Sequence, residues 1–349
     1  MHRWVGSASL LILTSVALCG SAVAGQNELV VLGYGGSCEQ HMRSSVIPPF
    51  EQRFQAKVTY VGGVGSANLA KVRLQASRPQ ADVLFTSPLT QVQGEAFGLF
   101  DAIDQNLVTH LKDVFEHEFR RGGLGVSFGR YVIGIEYHTG TFKAKGWQPP
   151  ASWYDLFRPE MKGHLVVQSL ASDMGLGLFV SLTRREGGTE RQADPGFKFF
   201  TAVAPNVLTF NSAPAELDNL FRQGEAWIAA HSNQRAYILK DLGAPVDFVL
   251  PKEGGVLMTN QAAVVKGAPR RELAQRFVNH LLDPAIQKAM AEALVYGPTN
   301  RLVTLAPAVT QRVPQGGAEP GKYILVDWEA VRQSYSTWID RWNREVERK

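Results

Sequence analysis

The stretch ELVVLGYGGS, Glu28 to Ser37, decides the fold. Leu29 to Leu32 are four aliphatic residues in a row, too few for a helix and apolar on both faces, as a strand inside a parallel sheet must be. Gly33 to Ser37 (GYGGS) then gives the small and polar composition of a strand-to-helix turn. The pattern recurs downstream. A helix is expected from Cys38 to Ile47, where Pro48 and Pro49 must end it and open a second short helix reaching Phe54. Lys57 to Val61 reads as a strand, Ser66 to Ala76 as a helix, Asp82 to Phe85 as a third strand, and Pro88 starts another helix. Right-handed crossovers fold this βαβαβ order into an open, doubly wound sheet.

In such a sheet the strand-to-helix turns share one edge, where helix N-termini present unpaired N–H groups to whatever fills the crevice. In the first half these turns are Gly33 to Ser37, Gly62 to Ser66, and Thr86 with Ser87. The second half repeats the logic with strands Leu165 to Gln168, Val207 to Phe210 and Ala226 to Ala230, whose turns carry Ser172 and Asp173, Asn211 and Ser212, and His231 to Arg235. Between the halves, Tyr131 to His138 is rich in β-formers and reads as a strand crossing from lobe to lobe. Phe248 to Val265 reads as the return. Two crossings make a hinge. The expected fold is therefore α/β, two doubly wound lobes joined by a two-strand hinge, with the ligand in the interlobe cleft. Residues 25–133 and 258–301 make one lobe and 134–257 the other. Residues 302–349 form a helical segment packing on both, with Trp328, Tyr335, Trp338 and Trp342 as its packing residues.

Ahead of the first strand, His2 and Arg3 precede a mostly apolar run, Leu10 to Leu18, and Ala22 with Ala24 supplies the A-x-A pattern of a signal peptidase site. Residues 1–24 read as a cleaved signal peptide. The apolar run is about half of what spans a bilayer, so a soluble, exported, periplasmic protein is expected. Leu18 ahead of Cys19 argues against lipidation of that cysteine. Lys and Arg number 36 against 32 Asp and Glu, with no basic run that could track phosphates, so nucleic acid is not an expected partner. Cys38 alone remains after cleavage, and the fold must hold by its core as a monomer.

Catalytic signatures are poor: there is no GxSxG elbow, no HExxH and no phosphate loop ending in GK[ST]. Neither a metal nor a cofactor is expected. A secreted hydrolase or transferase using Cys38 or Ser37 stays open as the rival from another class, as does a clamp docking on a membrane receptor.

The blocks GAPVDFVLPKEGG (Gly243 to Gly255), FVNHLLDP (Phe277 to Pro284) and YGPTN (Tyr296 to Asn300) resemble the periplasmic solute-binding proteins of ABC importers, and within them the spermidine/putrescine-type family. The resemblance implies a type II periplasmic binding protein fold, a small-molecule solute, and a permease with its ATPase as partner. It also implies tryptophans and tyrosines around a ligand's methylene chain, with carboxylates for its ammonium ends. This chain departs from that set: Gly33 and Tyr34 stand where a Trp-containing motif is expected, Pro88 follows Thr86 and Ser87 where a tyrosine would, and Ser232 and Asn233 replace Trp and Asp. Tyr34, Tyr296, Glu39 and Asp173 remain for a cation. The related ferric-ion binders use adjacent tyrosines, and no Tyr-Tyr pair occurs here. The crevice set, Ser37, Ser66, Ser87, Ser172, Ser212 and Asn233 with Arg235, suits carboxylate or phosphonate oxygens. An anionic or zwitterionic solute is thus the first expectation and a polyamine the second. The ligand-binding candidates are Tyr34, Ser37, Ser66, Thr86, Ser87, Ser172, Asp173, Asn211, Ser232, Asn233, Arg235 and Tyr296. For Ser37, Ser66 and Ser172 the competing role is helix capping, for Cys38 a small buried hydrophobe, and for His231 a structural donor.

Overall fold

The computed structural model describes residues 27–119, 122–211, 213–315 and 321–347; the expected signal peptide, Cys19 and Ser212 lie outside them. In chain order the strands are β1 (Glu28–Tyr34), β2 (Lys57–Gly63), β3 (Val83–Thr86), β4 (Phe100–Asp101), β5 (Val126–His138), β6 (Leu165–Gln168), β7 (Val207–Asn211), β8 (Ile228–Ser232), β9 (Val246–Val249), β10 (Gly255–Val265) and β11 (Tyr323–Ile324). They pair in the order β2-β1-β3-β10-β5-β8-β6-β7, with β4 and β11 on β10 and β9 on β5. The parallel set β2-β1-β3 belongs to the first half and the parallel set β8-β6-β7 to the second, and antiparallel β5 and β10 run between them. This is the two-lobed α/β architecture with two crossing strands, and it is the type II fold that the resemblance implied.

The apolar runs behave as their composition requires. Leu29 and Val31 are fully buried, as are Val83, Leu84 and Phe85 beside them. The β1–β2 ladder continues past the aliphatic run, pairing Gly33 with Gly62 and Tyr34 with Gly63. A Cβ on Gly33 would stand 2.1 Å from the Tyr60 hydroxyl, so this glycine serves close approach. The turn itself falls at Gly36, whose φ of +66° needs glycine.

Three expectations are corrected. Pro48 and Pro49 do not end the helix: Ser37–His41 passes through a π turn, Met42–Val46, into Ile47–Phe54. The prolines occupy the first turn of that last helix, where no N–H is required, and His280 Nε2 donates to the Val46 carbonyl at 2.8 Å to fix the junction. The strand expected at Ala226 to Ala230 begins two residues later, because Glu225 and Ala226 both donate their N–H groups to Leu220 O and so close the preceding helix. The return crossing is broken: β9 pairs with the end of β5, and Pro251 and Gly254 (φ +98°) separate it from β10.

Beyond Asn300 the chain passes over the molecule a third time. The Arg312 guanidinium donates to Tyr237 O at 3.2 Å and to Asp241 at 2.6 Å, both in the second half. β11 then adds to the start of β10, and the helix Trp328–Trp342 packs Trp338 and Trp342 on Phe179, with ring centroids 5.1 and 5.9 Å away.

Candidate functional site

Two helix N-termini from opposite halves meet at the cleft. Ser87 caps the helix Pro88–Ala96 through a capping box with Thr90. Ser172 caps Asp173–Arg185 by accepting from Met174 N at 3.2 Å, and it donates to Gln168 Oε1 at 2.8 Å. The Ser87 hydroxyl donates across the cleft to Asp173 Oδ1 at 3.3 Å. Asp173 retains accessible surface although protein surrounds it, as expected of a carboxyl on the wall of a narrow cleft. Burial pushes its carboxyl up to about 6 against the Ser87 hydrogen bond, which pulls it down. No arginine or lysine is among the groups acting on it.

Three phenols feel the charge of this acid. Tyr131, 4% exposed on the crossing strand β5, is pushed well above the usual range by burial and then by Asp173. Tyr34, at the end of β1, is raised in turn by burial, Tyr131, Asp173 and Cys38, and its buried hydroxyl has no hydrogen-bond partner among the described residues. Tyr335, on the C-terminal helix, is raised by burial and then by Asp173. Behind Tyr34 lies a second layer. Tyr60 Oη donates to Tyr34 O at 2.8 Å, Cys38 Sγ stands 3.8 Å from Tyr60 Oη, and Tyr296 lies in the same buried cluster. Burial pushes the Cys38 thiol up to about 11, the opposite of what an activated nucleophile needs, which speaks against the hydrolase reading. Glu39 is bound by Arg43 at 2.8 Å, with Arg43 also donating to Tyr60 O.

The other candidates fall into distinct roles. Thr86 is fully buried and bonded to Gln91, and Ser232 is fully buried, accepting from Arg235 N as a helix cap. Ser37 and Ser66 lie inside the first turns of their helices, whose N-caps are Gly36 and Val64, so neither caps; Ser66 is exposed. Asn233 turns from ligand candidate to structural tie. Its Oδ1 accepts from Val132 N at 2.9 Å, and its Nδ2 donates to Arg312 O at 2.8 Å and Val295 O at 3.3 Å, which uses both of its donor hydrogens. Arg235 is likewise corrected. Its guanidinium is paired with Asp218, so it is not the unpaired cation that an anionic ligand would require. His231 is the structural donor expected, bonded at 2.5 Å to Glu136 with both side chains fully buried, and burial pushes the Glu136 carboxyl up despite that partner. Asn211 is buried, and neither polar atom of its amide has a partner among the described residues.

Sequence reasoning missed Tyr131 and Tyr335. Tyr131 looked like one β-former among many, yet it shares a strand face with Ile133, Ile135 and Tyr137 and a buried cluster with residues of the Asp173 helix. Two concavities of about 490 and 520 Å³ lie elsewhere, one around Asp194 and Arg341, the other around Val108 and Phe119. Neither is lined by the cleft residues Ser87, Ser172 or Asp173.

The family model described as "Bacterial extracellular solute-binding protein" matches residues 79–334. The spermidine/putrescine-binding periplasmic protein of Escherichia coli is 34% identical over 155 residues, 43% of this chain and 42% of that protein, so the match spans less than half of that relative's length. The gamma-aminobutyric acid-binding protein of Pseudomonas aeruginosa is 23% identical over 363 residues, covering 98% of this chain and 99% of its own. The crystal structure of an ABC transporter from Clostridium perfringens superposes with a TM-score of 0.76 at 24% identity, over 91% of this chain and 99% of that one, and shows the shared fold.

Proposed function

The chain belongs to the bacterial extracellular solute-binding protein family, and on that premise we propose that it is the periplasmic solute-capturing component of an ABC import system. In this reading it closes on a small solute that carries an ammonium group and presents it to a membrane permease. One observation carries the choice of solute: Asp173 is a carboxyl in the cleft that acts on Tyr131 and Tyr34, and no cation among the described residues is among the groups acting on it. An ammonium supplies the missing charge, accepts the faces of the phenol rings, and replaces water at a site where charge-assisted hydrogen bonds contribute about 1.5–3 kcal/mol each. Micromolar affinity needs about 8 kcal/mol net, within reach of a few such contacts.

The polyamines and gamma-aminobutyric acid for which these relatives are named share an ammonium end, and that shared end is what Asp173 fits. A purely anionic solute fits less well, because Arg235 is paired with Asp218. The zwitterionic half of the first expectation is kept, with the polyamine beside it.

Isothermal titration calorimetry with putrescine, spermidine and gamma-aminobutyric acid tests this. At least one is expected to bind, and Asp173→Asn is expected to weaken it at least a hundredfold, since it leaves the ammonium without its counter-charge. No heat from any of the three, or unchanged affinity in Asp173→Asn, overturns the reading.

A further inference from the structure

We infer that the C-terminal helix Trp328–Trp342 forms a third wall of the cleft and that Tyr335 is a specificity-determining residue, its hydroxyl and ring meeting the ammonium that Asp173 holds. The inference rests on the ammonium reading above and adds to it an element that neither lobe supplies.

Trp328, Val331, Tyr335, Trp338 and Trp342 follow one another at steps of three, four, three and four residues, so they occupy a single helix face turned to the protein. Val331, Trp338 and Trp342 are buried in an apolar cluster that also contains Phe179, from the helix that begins at Asp173, and Leu89 and Val92, from the helix that Ser87 caps. The C-terminal helix therefore lies against both helices whose N-termini meet at the Ser87–Asp173 contact, one on each side of the cleft. Tyr335 is in the middle of the stripe, half-buried, where a residue chosen for packing alone would need no polar tip. Its phenol feels the Asp173 carboxyl, and it carries the one hydroxyl on a stripe that is otherwise Val and Trp. A hydroxyl so placed accepts from an ammonium held by the carboxylate, and the ring beneath it offers a cation–π face.

The test uses the full chain with putrescine and with gamma-aminobutyric acid as probes. Tyr335→Phe keeps the packing and is expected to weaken binding of the probe that the wild type takes by about tenfold, with an unchanged thermal midpoint. Wild-type affinity in Tyr335→Phe overturns the inference. A second measurement needs no ligand: carbon-detected NMR titration of the Asp173 carboxyl in wild type and Tyr335→Ala. Removing the wall admits water, so the midpoint is expected to fall from about 6 toward the ordinary 3.8. An unchanged midpoint overturns the third wall even if neither probe binds, whereas failure of both probes with a shifted midpoint sinks the ammonium reading and leaves the wall standing.

Discussion

Asp173 is an acid kept where water is scarce, with no base among the described residues acting on it, and its titration is the residue-scale consequence. Its folded pKa, about 6, lies above the ordinary 3.8. The free protein therefore loses stability as pH climbs from about 4 to about 6, because the folded state resists giving up that proton. Capture of an ammonium has the opposite sign, since only the ionised carboxylate holds it. Binding is thus expected to be about tenfold weaker at pH 5 than at pH 7.5 and flat above pH 7, measured as the calorimetric Kd of a bound amine. Pure pH independence between 5 and 7.5 would remove Asp173 from the ligand's contacts. Ser87, Asp173 and Tyr34 could be picked out in the sequence because each sits beside a strand end that points into the crevice. Tyr131 could not, because a tyrosine in mid-strand shows nothing of which groups lie across from it until the second lobe is in place. Asn233 and Arg235 were misjudged for the same reason: their partners, Val295, Arg312 and Asp218, are distant in the chain and invisible to local pattern.

At the scale of elements, the crossing strands do two jobs, pairing within each half and carrying the hinge between them. β5 was legible from its β-formers, although its start at Val126 was not, since Val126 to Gly129 pair with β10 only after the return crossing arrives. The side chain of Asn233 fastens this strand at Val132 to the turn at Val295 and the third passage at Arg312, so it ties the hinge region together. Asn233→Leu strands Val132 N–H and two carbonyls in the interior. It is expected to lower unfolding free energy by about 2–3 kcal/mol in urea denaturation, well beyond a surface substitution. Stability within 0.5 kcal/mol of wild type would show that the tie is dispensable. The C-terminal helix is the element the sequence described least well. Its tryptophans pack as expected, but the same periodicity placed Tyr335 among them with nothing local to mark it as facing an acid.

For the whole molecule, the account requires two lobes that close, and the Ser87 hydroxyl on Asp173 is a contact available to the closed arrangement. Two lobes and two crossings were readable from strand order because parallel βαβ units permit few topologies. The third passage over the second half was not, being set by Arg312, β11 and the aromatic face of the last helix. Closure by rotation about β5 and β10 must shorten the particle when an amine neutralises Asp173 and must fail when that carboxyl is gone. Small-angle scattering of the free protein and of the protein saturated with its tightest amine is the most direct measurement. The account predicts a smaller radius of gyration with the amine bound and no contraction in Asp173→Asn. The same radius in the wild type with and without bound amine would contradict it.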